Sequence, residues 1–242
     1  MINCKSCNHP VTENFCSSCG LPAKLKRIDS HYIMHEIIHV LHLEKGIFYT
    51  IKELLLRPGQ NVKAFISENR SRLVKPIIFI IISSLIYTII AHLFHIEDGY
   101  IVMSGDEIKE GSATFALNSW VQNHYGYANI IMGMFIAFWL KVFFKKYDYN
   151  FFEIVILLCF VMGMGMLLFS VFAIIEAFTK IHLMQISAMI FFPYATWAIG
   201  QFFDKKKVSS YLKAFGAYML GALTFQIGVM LLGTVIDLIF KH

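Results

Sequence analysis

Charge is scarce in this 242-residue chain: Asp, Glu, Lys and Arg make up 15% of it, against about 25% in soluble domains. Hydrophobic residues make up 57%. So few charges cannot keep so much apolar surface in water, which excludes an ordinary soluble fold and leaves lipid as the solvent. A cleavable signal peptide is not evident either. The chain opens MINCKSCNHP, without a basic stretch followed by a short apolar run, so the first apolar helix is expected to direct insertion. Cysteine is rare outside the first 19 residues, where four of the five stand. Cys159, in the middle of an apolar run, reads as a packing residue.

What is present is length. A membrane-spanning helix needs about 20 mostly apolar residues, because the hydrocarbon core is about 30 Å thick and a helix rises about 1.5 Å per residue. Residues 76–94, 127–144, 151–178, 181–203 and 211–240 meet that requirement. Backbone polar groups in hydrocarbon must be satisfied within the segment, so these runs are helices. The third and fifth exceed the span and require tilt or interfacial ends. Pro193 marks a kink, and Gly163, Gly165, Gly216, Gly221, Gly228 and Gly233 offer small surfaces for close packing.

The few charges are ordered along the chain. Lys and Arg crowd ahead of Pro76, recur at Lys141, Lys145 and Lys146, and gather again at Lys205, Lys206, Lys207 and Lys213. Between the first two spans the balance is acidic, with Glu97, Asp98, Asp106, Glu107 and Glu110 against Lys109. Basic residues accumulate on the cytoplasmic side, so the pattern places the N-terminus inside, and puts residues 95–126, read as a loop, and the C-terminus outside. The bacterial inner membrane is the expected location.

Cys4, Cys7, Cys16 and Cys19 form two Cys-x-x-Cys pairs in CKSCNHPVTENFCSSCG, the ligand type and pair spacing of a tetrahedral Cys4 zinc site. Asn8 and Gly20 follow the pairs and tolerate the left-handed backbone of a knuckle turn. Disulfides are the rival, and a reducing cytoplasm disfavours them. A closed Cys4 site leaves no coordination position open, so one zinc per chain is expected in a structural role, folding a ribbon too small to build its own core. Only Lys5, His9 and Phe15 stand as contacts for nucleic acid, which is therefore not the expected partner.

In HYIMHEIIHVLHLEKG, residues 31–46, His31, His35, His39 and His42 fall within an arc of roughly 80° on a helix. Ile33, Met34, Ile37, Ile38, Val40 and Leu41 occupy the opposite side. Neighbouring imidazoles can chelate a metal or titrate near neutrality. The alternative is an interfacial helix whose mildly polar side faces headgroups. His35, Glu36 and His39 spell the zincin order HEIIH, yet no carboxylate shares the arc and no soluble catalytic domain surrounds it. Two short helices follow, GIFYTIKELLLR and PGQNVKAFISENRSR, separated by Pro58.

The resulting fold class is an all-α integral membrane protein. Residues 1–22 form a zinc ribbon, 23–75 a cytoplasmic amphipathic helical collar, and 76–242 the five-helix membrane domain.

The FCSSCG knuckle, the block HLEKGIFYTIKELLLRPG from His42 to Gly59 and the Lys75-Pro76 entry resemble a bacterial family of multi-pass membrane proteins with an N-terminal zinc ribbon and a domain of unknown function. The resemblance maps the family's His, acidic-basic-Gly triplet, Thr and Pro-Gly onto His42, Glu44, Lys45, Gly46, Thr50, Pro58 and Gly59. After that block the family's basic-Gly-Lys-Arg run is replaced by Ser67, Glu68, Asn69 and Arg70. The family implies no established activity. Some zinc-ribbon or multi-helix membrane proteins of similar kind accompany RNA-targeting CRISPR loci, which implies a defence-accessory role.

These readings converge on a non-enzymatic protein whose ribbon and collar bind a cytoplasmic protein partner at the lipid bilayer. An oligomeric channel or transporter is the first alternative, with Glu176, Asp237, Gln185 and Gln226 along its path. No helix repeats several polar residues on one face, so a wide water path would need a homo-oligomer. A membrane metalloenzyme using His35, Glu36 and His39 is the second. Snorkelling to the interface also accounts for Lys141, Glu153, Glu176 and Asp237 near the helix ends.

Overall fold

The computed structural model describes residues 2–3, 7, 9–11, 16–18, 46–70, 72–94, 112–179 and 183–240. Contacts divide the chain into two compact units, Met1–Glu44 and Lys45–His242. In the first, β1 (Ile2–Asn3) pairs antiparallel with β2 (Pro10–Val11), Ile2 opposite Val11 and Asn3 opposite Pro10. Cys7 lies in the connection of this hairpin, and Cys16 follows it. The histidines at 31, 35, 39 and 42, with Glu36, lie outside the described residues.

Among its described residues, every regular element of the second unit is a helix. Gly46 takes a φ of 71°, which costs glycine little for want of a Cβ, and α1 (Ile47–Leu56) begins after it. Pro58 cannot donate to a continuing helix but suits a first turn, so α1 stops and α2 (Pro58–Ser67) starts with only Arg57 between them. Five longer helices follow with one short one among them: α3 (Pro76–Leu93), α4 (Ala113–Asn123), α5 (Tyr125–Phe143), α6 (Phe151–Thr179), α7 (Met184–Asp204) and α8 (Val208–Phe240). All but α4 of these six are long and apolar enough to cross a membrane. Their ends fall within a turn of those expected from apolar length. Pro193 sits on the exposed side of α7 without dividing it into two helices, so the alternation of span directions survives.

Helix α6 is the centre. It packs against α3, α5 and α7, and α8 closes the arrangement against α5 and α7. In its most apolar stretch 72% of α6 is buried inside the protein, whereas α8 buries 17% and turns most of its surface outward. Small residues permit these approaches: a Cβ on Gly163 would lie 2.7 Å from the Phe79 ring of α3, and one on Gly221 would lie 2.5 Å from the Ile136 Cα of α5. Gly228 has no such neighbour within 4 Å and faces open space, unlike the other expected packing glycines.

Helix α4 corrects the reading of residues 95–126 as loop. Ser112 caps it, its Oγ accepting from the Phe115 N–H at 3.1 Å. At 11 residues it is too short to register as a span, and it becomes stable by lying against α8.

Candidate functional site: a helical clasp at one end of the bundle

Residues between the first unit and the first span fold into α1 and α2, and their polar atoms are tied to the bundle. Thr50 is fully buried, and its Oγ1 accepts from the Val74 N–H at 3.1 Å, fixing the chain just before α3. Tyr194 of α7 donates its hydroxyl to the Leu54 carbonyl at 3.2 Å, satisfying an acceptor in the last turn of α1. The first turn of α2 has orphan donors of its own. Gln201 of α7 supplies the acceptor, its Oε1 receiving the Gly59 N–H at 2.9 Å and the Gln60 N–H at 3.4 Å. Within the hairpin, the Asn61 side-chain amide donates to the Glu53 carbonyl at 2.7 Å.

The fit at Gly59 is close. A Cβ there would stand 2.3 Å from the Phe202 nitrogen and 2.5 Å from the Ala198 carbonyl oxygen, both backbone atoms. Phe65 meets Phe160 of α6 edge to face at a centroid distance of 5.4 Å, and Leu54 and Val62 are 1% and 0% exposed. On the outside, Arg72 reaches Glu53 at 2.9 Å and the Tyr49 hydroxyl at 3.4 Å. The Tyr49 contact, with Glu53 adding to it, raises the Arg72 guanidinium above its ordinary value. The clasp is thus a mechanical joint that fixes where the chain enters the bundle.

Five of the ionisable and amide groups singled out in the spans, Asp237, Gln226, Glu176, Glu153 and Lys141, are likewise held in place. Asp237, near the end of α8, caps α4: Oδ1 accepts from the Ala113 N–H at 2.6 Å, and Oδ2 from the Thr114 hydroxyl at 3.2 Å. A carboxylate suits that position because the helix N-terminus carries partial positive charge. Gln226 donates to the Asn118 side chain of α4 at 3.1 Å. Glu176 accepts from the Leu183 N–H at 2.9 Å, at the start of α7. Asn150 and Glu153 exchange hydrogen bonds of 2.9 and 2.8 Å in a reciprocal capping box that opens α6, and Lys141 donates to the Tyr149 carbonyl. Gln185 is exposed on α7. Reading Glu153 as a snorkelling side chain misses the capping box, although Asn-x-x-Glu is a local signal for it; Gln201 and Tyr194 carry no local signal of their roles.

Of the four expected zinc ligands, Cys7 and Cys16 are described, and Cys4 and Cys19 lie outside the described residues. The Cys7 and Cys16 sulfurs are 3.5 Å apart, with Cys16 2% exposed. Two thiolates at about 2.3 Å from a tetrahedral zinc stand roughly 3.8 Å apart, so this pair fits such a group. Among the described residues, no three His, Cys, Asp or Glu side chains gather as a metal-binding group.

Among its described residues, the second unit so defined is a helical, membrane-type bundle with five helices long and apolar enough to span, clasped at one end by a short helical hairpin. A family model described as "Protein of unknown function (DUF3667)" matches residues 44–88, which takes in α1, α2 and most of α3. The chain is similar to that family over the clasp and the span it enters. No curated protein and no solved structure matches the chain.

Proposed function

We propose that this is a non-enzymatic, multi-pass protein of the bacterial inner membrane. In this reading its Cys4 zinc ribbon and clasped hairpin hold a protein partner at the cytoplasmic face, with the C-terminus outside. The observation that carries the reading is the division of chemistry between the two ends of the bundle. Among the described residues, every Lys and Arg, from Lys52 to Lys213, stands at or within two turns of the clasp end. That distribution supports a cytoplasmic clasp. The span carboxylates that would serve a path or a catalytic step are instead engaged as helix caps.

Zinc, bound by Cys4, Cys7, Cys16 and Cys19, would order the ribbon and offer no open position for substrate. Cys7 and Cys16 already stand close enough to share an ion. The resemblance to membrane proteins beside RNA-targeting CRISPR loci makes components of such loci the first partners to test.

The test compares wild type with Cys16→Ser by affinity purification from native membranes and mass spectrometry, alongside ion flux in liposomes. A specific partner recovered by wild type and lost with the variant, with flux at background, is the expected result. Flux that depends on Asp237 or Glu176 would overturn the proposal in favour of a channel. A second zinc lost on His35→Ala would overturn it in favour of a metalloenzyme.

A further inference from the structure

The outer side of α1 is apolar where a water-facing helix carries charge. Thr50 and Leu54 face the core at 0% and 1% exposure. On the opposite side Phe48, Leu55 and Leu56 stand 82%, 56% and 60% exposed, with Lys52 exposed among them. At about 100° per residue, Phe48, Lys52, Leu55 and Leu56 share one arc of roughly 100° centred near Lys52. The neighbouring α2 differs, since its exposed positions are Lys63 and Ser67, with Glu68 following. A short helix apolar on both sides needs a second apolar medium for its outer face.

Packing sets the level at which that face lies. Leu54 is bonded to Tyr194, ten residues before the Asp204 end of α7, and Phe65 meets Phe160, nine residues into α6. These offsets correspond to roughly 15 Å and 13 Å along the helix axes. Helix α6, at 29 residues, is about 43 Å long and exceeds the hydrocarbon thickness by about 13 Å. Helix α7, at 21 residues, is about 31 Å long, so Tyr194 stands at its middle and the hairpin packs at membrane depth, against the clasp-side half of both helices. The exposed bases Lys52 and Arg57 belong to the hairpin itself, and Lys75, Lys205 and Lys206 stand exposed at the same end of the bundle.

We infer that the outer face of α1 is a binding surface for anionic phospholipid. Phe48, Leu55 and Leu56 enter the acyl boundary, and Lys52 and Arg57 hold phosphate oxygens, as in interfacial helices whose basic residues snorkel to headgroups. The surface complements negative headgroups and is held at the bilayer by the spans themselves. It requires neither the zinc ribbon nor a protein partner.

The test places a photoreactive group at this face in the full chain, as Phe48→p-benzoylphenylalanine, with Lys63→p-benzoylphenylalanine on α2 as the comparison. Both are reconstituted in vesicles of phosphatidylcholine containing phosphatidylglycerol at about one lipid in five. Irradiation followed by mass spectrometry reads the adducts. Lipid adducts are expected at position 48 and not at 63, with phosphatidylglycerol making up about half of them, roughly 2.5 times its mole fraction. The double variant Lys52→Gln, Arg57→Gln should return that ratio to the mole fraction while keeping the adduct. A crosslink from position 48 to a second copy, the absence of a lipid adduct there, or phosphatidylglycerol at its mole fraction in the unaltered face would each overturn the inference. In native membranes, a crosslink from position 48 to another protein in place of lipid would do the same.

Discussion

Replacing Gly59 with alanine tests whether the clasp is a close-packed joint or a loose tether. The added Cβ would lie 2.3 Å from the Phe202 nitrogen, 2.5 Å from the Ala198 oxygen and 2.6 Å from the Gln201 carbonyl carbon, where ordinary contacts begin at 3.4 Å. Those neighbours are backbone atoms of α7 and cannot rotate away. The hairpin must instead shift outward by about 1 Å, at the upper end of the 1–3 kcal/mol typical of overpacking. That shift also stretches the bonds from the Gly59 and Gln60 N–H groups to Gln201, now 2.9 and 3.4 Å, worth about 1 kcal/mol together. Alanine's better helix propensity returns about 1 kcal/mol. The net expectation is a loss of about 3 kcal/mol, a little over a hundredfold in the folded-to-open equilibrium of the hairpin. Gly228→Ala supplies the control, because nothing stands within 4 Å of its added Cβ. Hydrogen exchange of α1 and α2 amides in detergent-purified protein measures the opening, and thermal unfolding followed by size-exclusion chromatography measures the whole. If Gly59→Ala exchanges and melts like Gly228→Ala, the argument from backbone contact is wrong.

Other outcomes follow from single bonds. Thr50→Val removes the acceptor at 3.1 Å from the buried Val74 N–H and should cost about 1–3 kcal/mol by thermal unfolding, whereas Thr50→Ser should keep most of it. Asp237→Ala should raise hydrogen exchange at least tenfold at the Ala113 amide, and less at the Thr114 amide, while leaving α6 unchanged, since it frees their bonds of 2.6 and 3.4 Å to the carboxylate, worth about 1 kcal/mol each. Elemental analysis of purified protein should find one zinc per chain, and Cys7→Ser should reduce it to background; a stoichiometric zinc retained by that variant would remove the ribbon from the account. Glu53→Ala breaks an exposed ion pair with Arg72 and should change stability by less than about 1 kcal/mol, which chemical denaturation of the purified protein would check.

How much of this was legible beforehand depended on how local each cause is. Apolar length is a property of one segment, so the five spans could be read to within a turn. Pro58 divides α1 from α2 by its own ring and missing N–H. The Asn150–Glu153 box closes across three residues and is as local a signal, though reading Glu153 as snorkelling passes over it. Helix α4 escaped because its support comes from α8: Asp237 lies 124 residues from the Ala113 N–H it caps. The span carboxylates show the same division. Glu176 and Asp237 looked like candidates for a path or for snorkelling, and only the arrangement of α4, α7 and α8 supplied the donors they engage.

The sequence by itself determined the solvent, the number of spans, their alternating directions and the two cysteine pairs, because each follows from residue type and spacing along a single segment. Tertiary structure alone decided which glycine bears a helix on its face, Gly59 or Gly228, and which side chain ends a helix elsewhere, as Gln201 does for α2. It also decided that the block from Gly46 to Gly59 is a joint packed against α6 and α7, with an apolar outer face left over. The physical reason is that a close contact or a hydrogen bond between distant segments belongs to two surfaces at once. Neither segment carries the mark of its partner until both helices are in place.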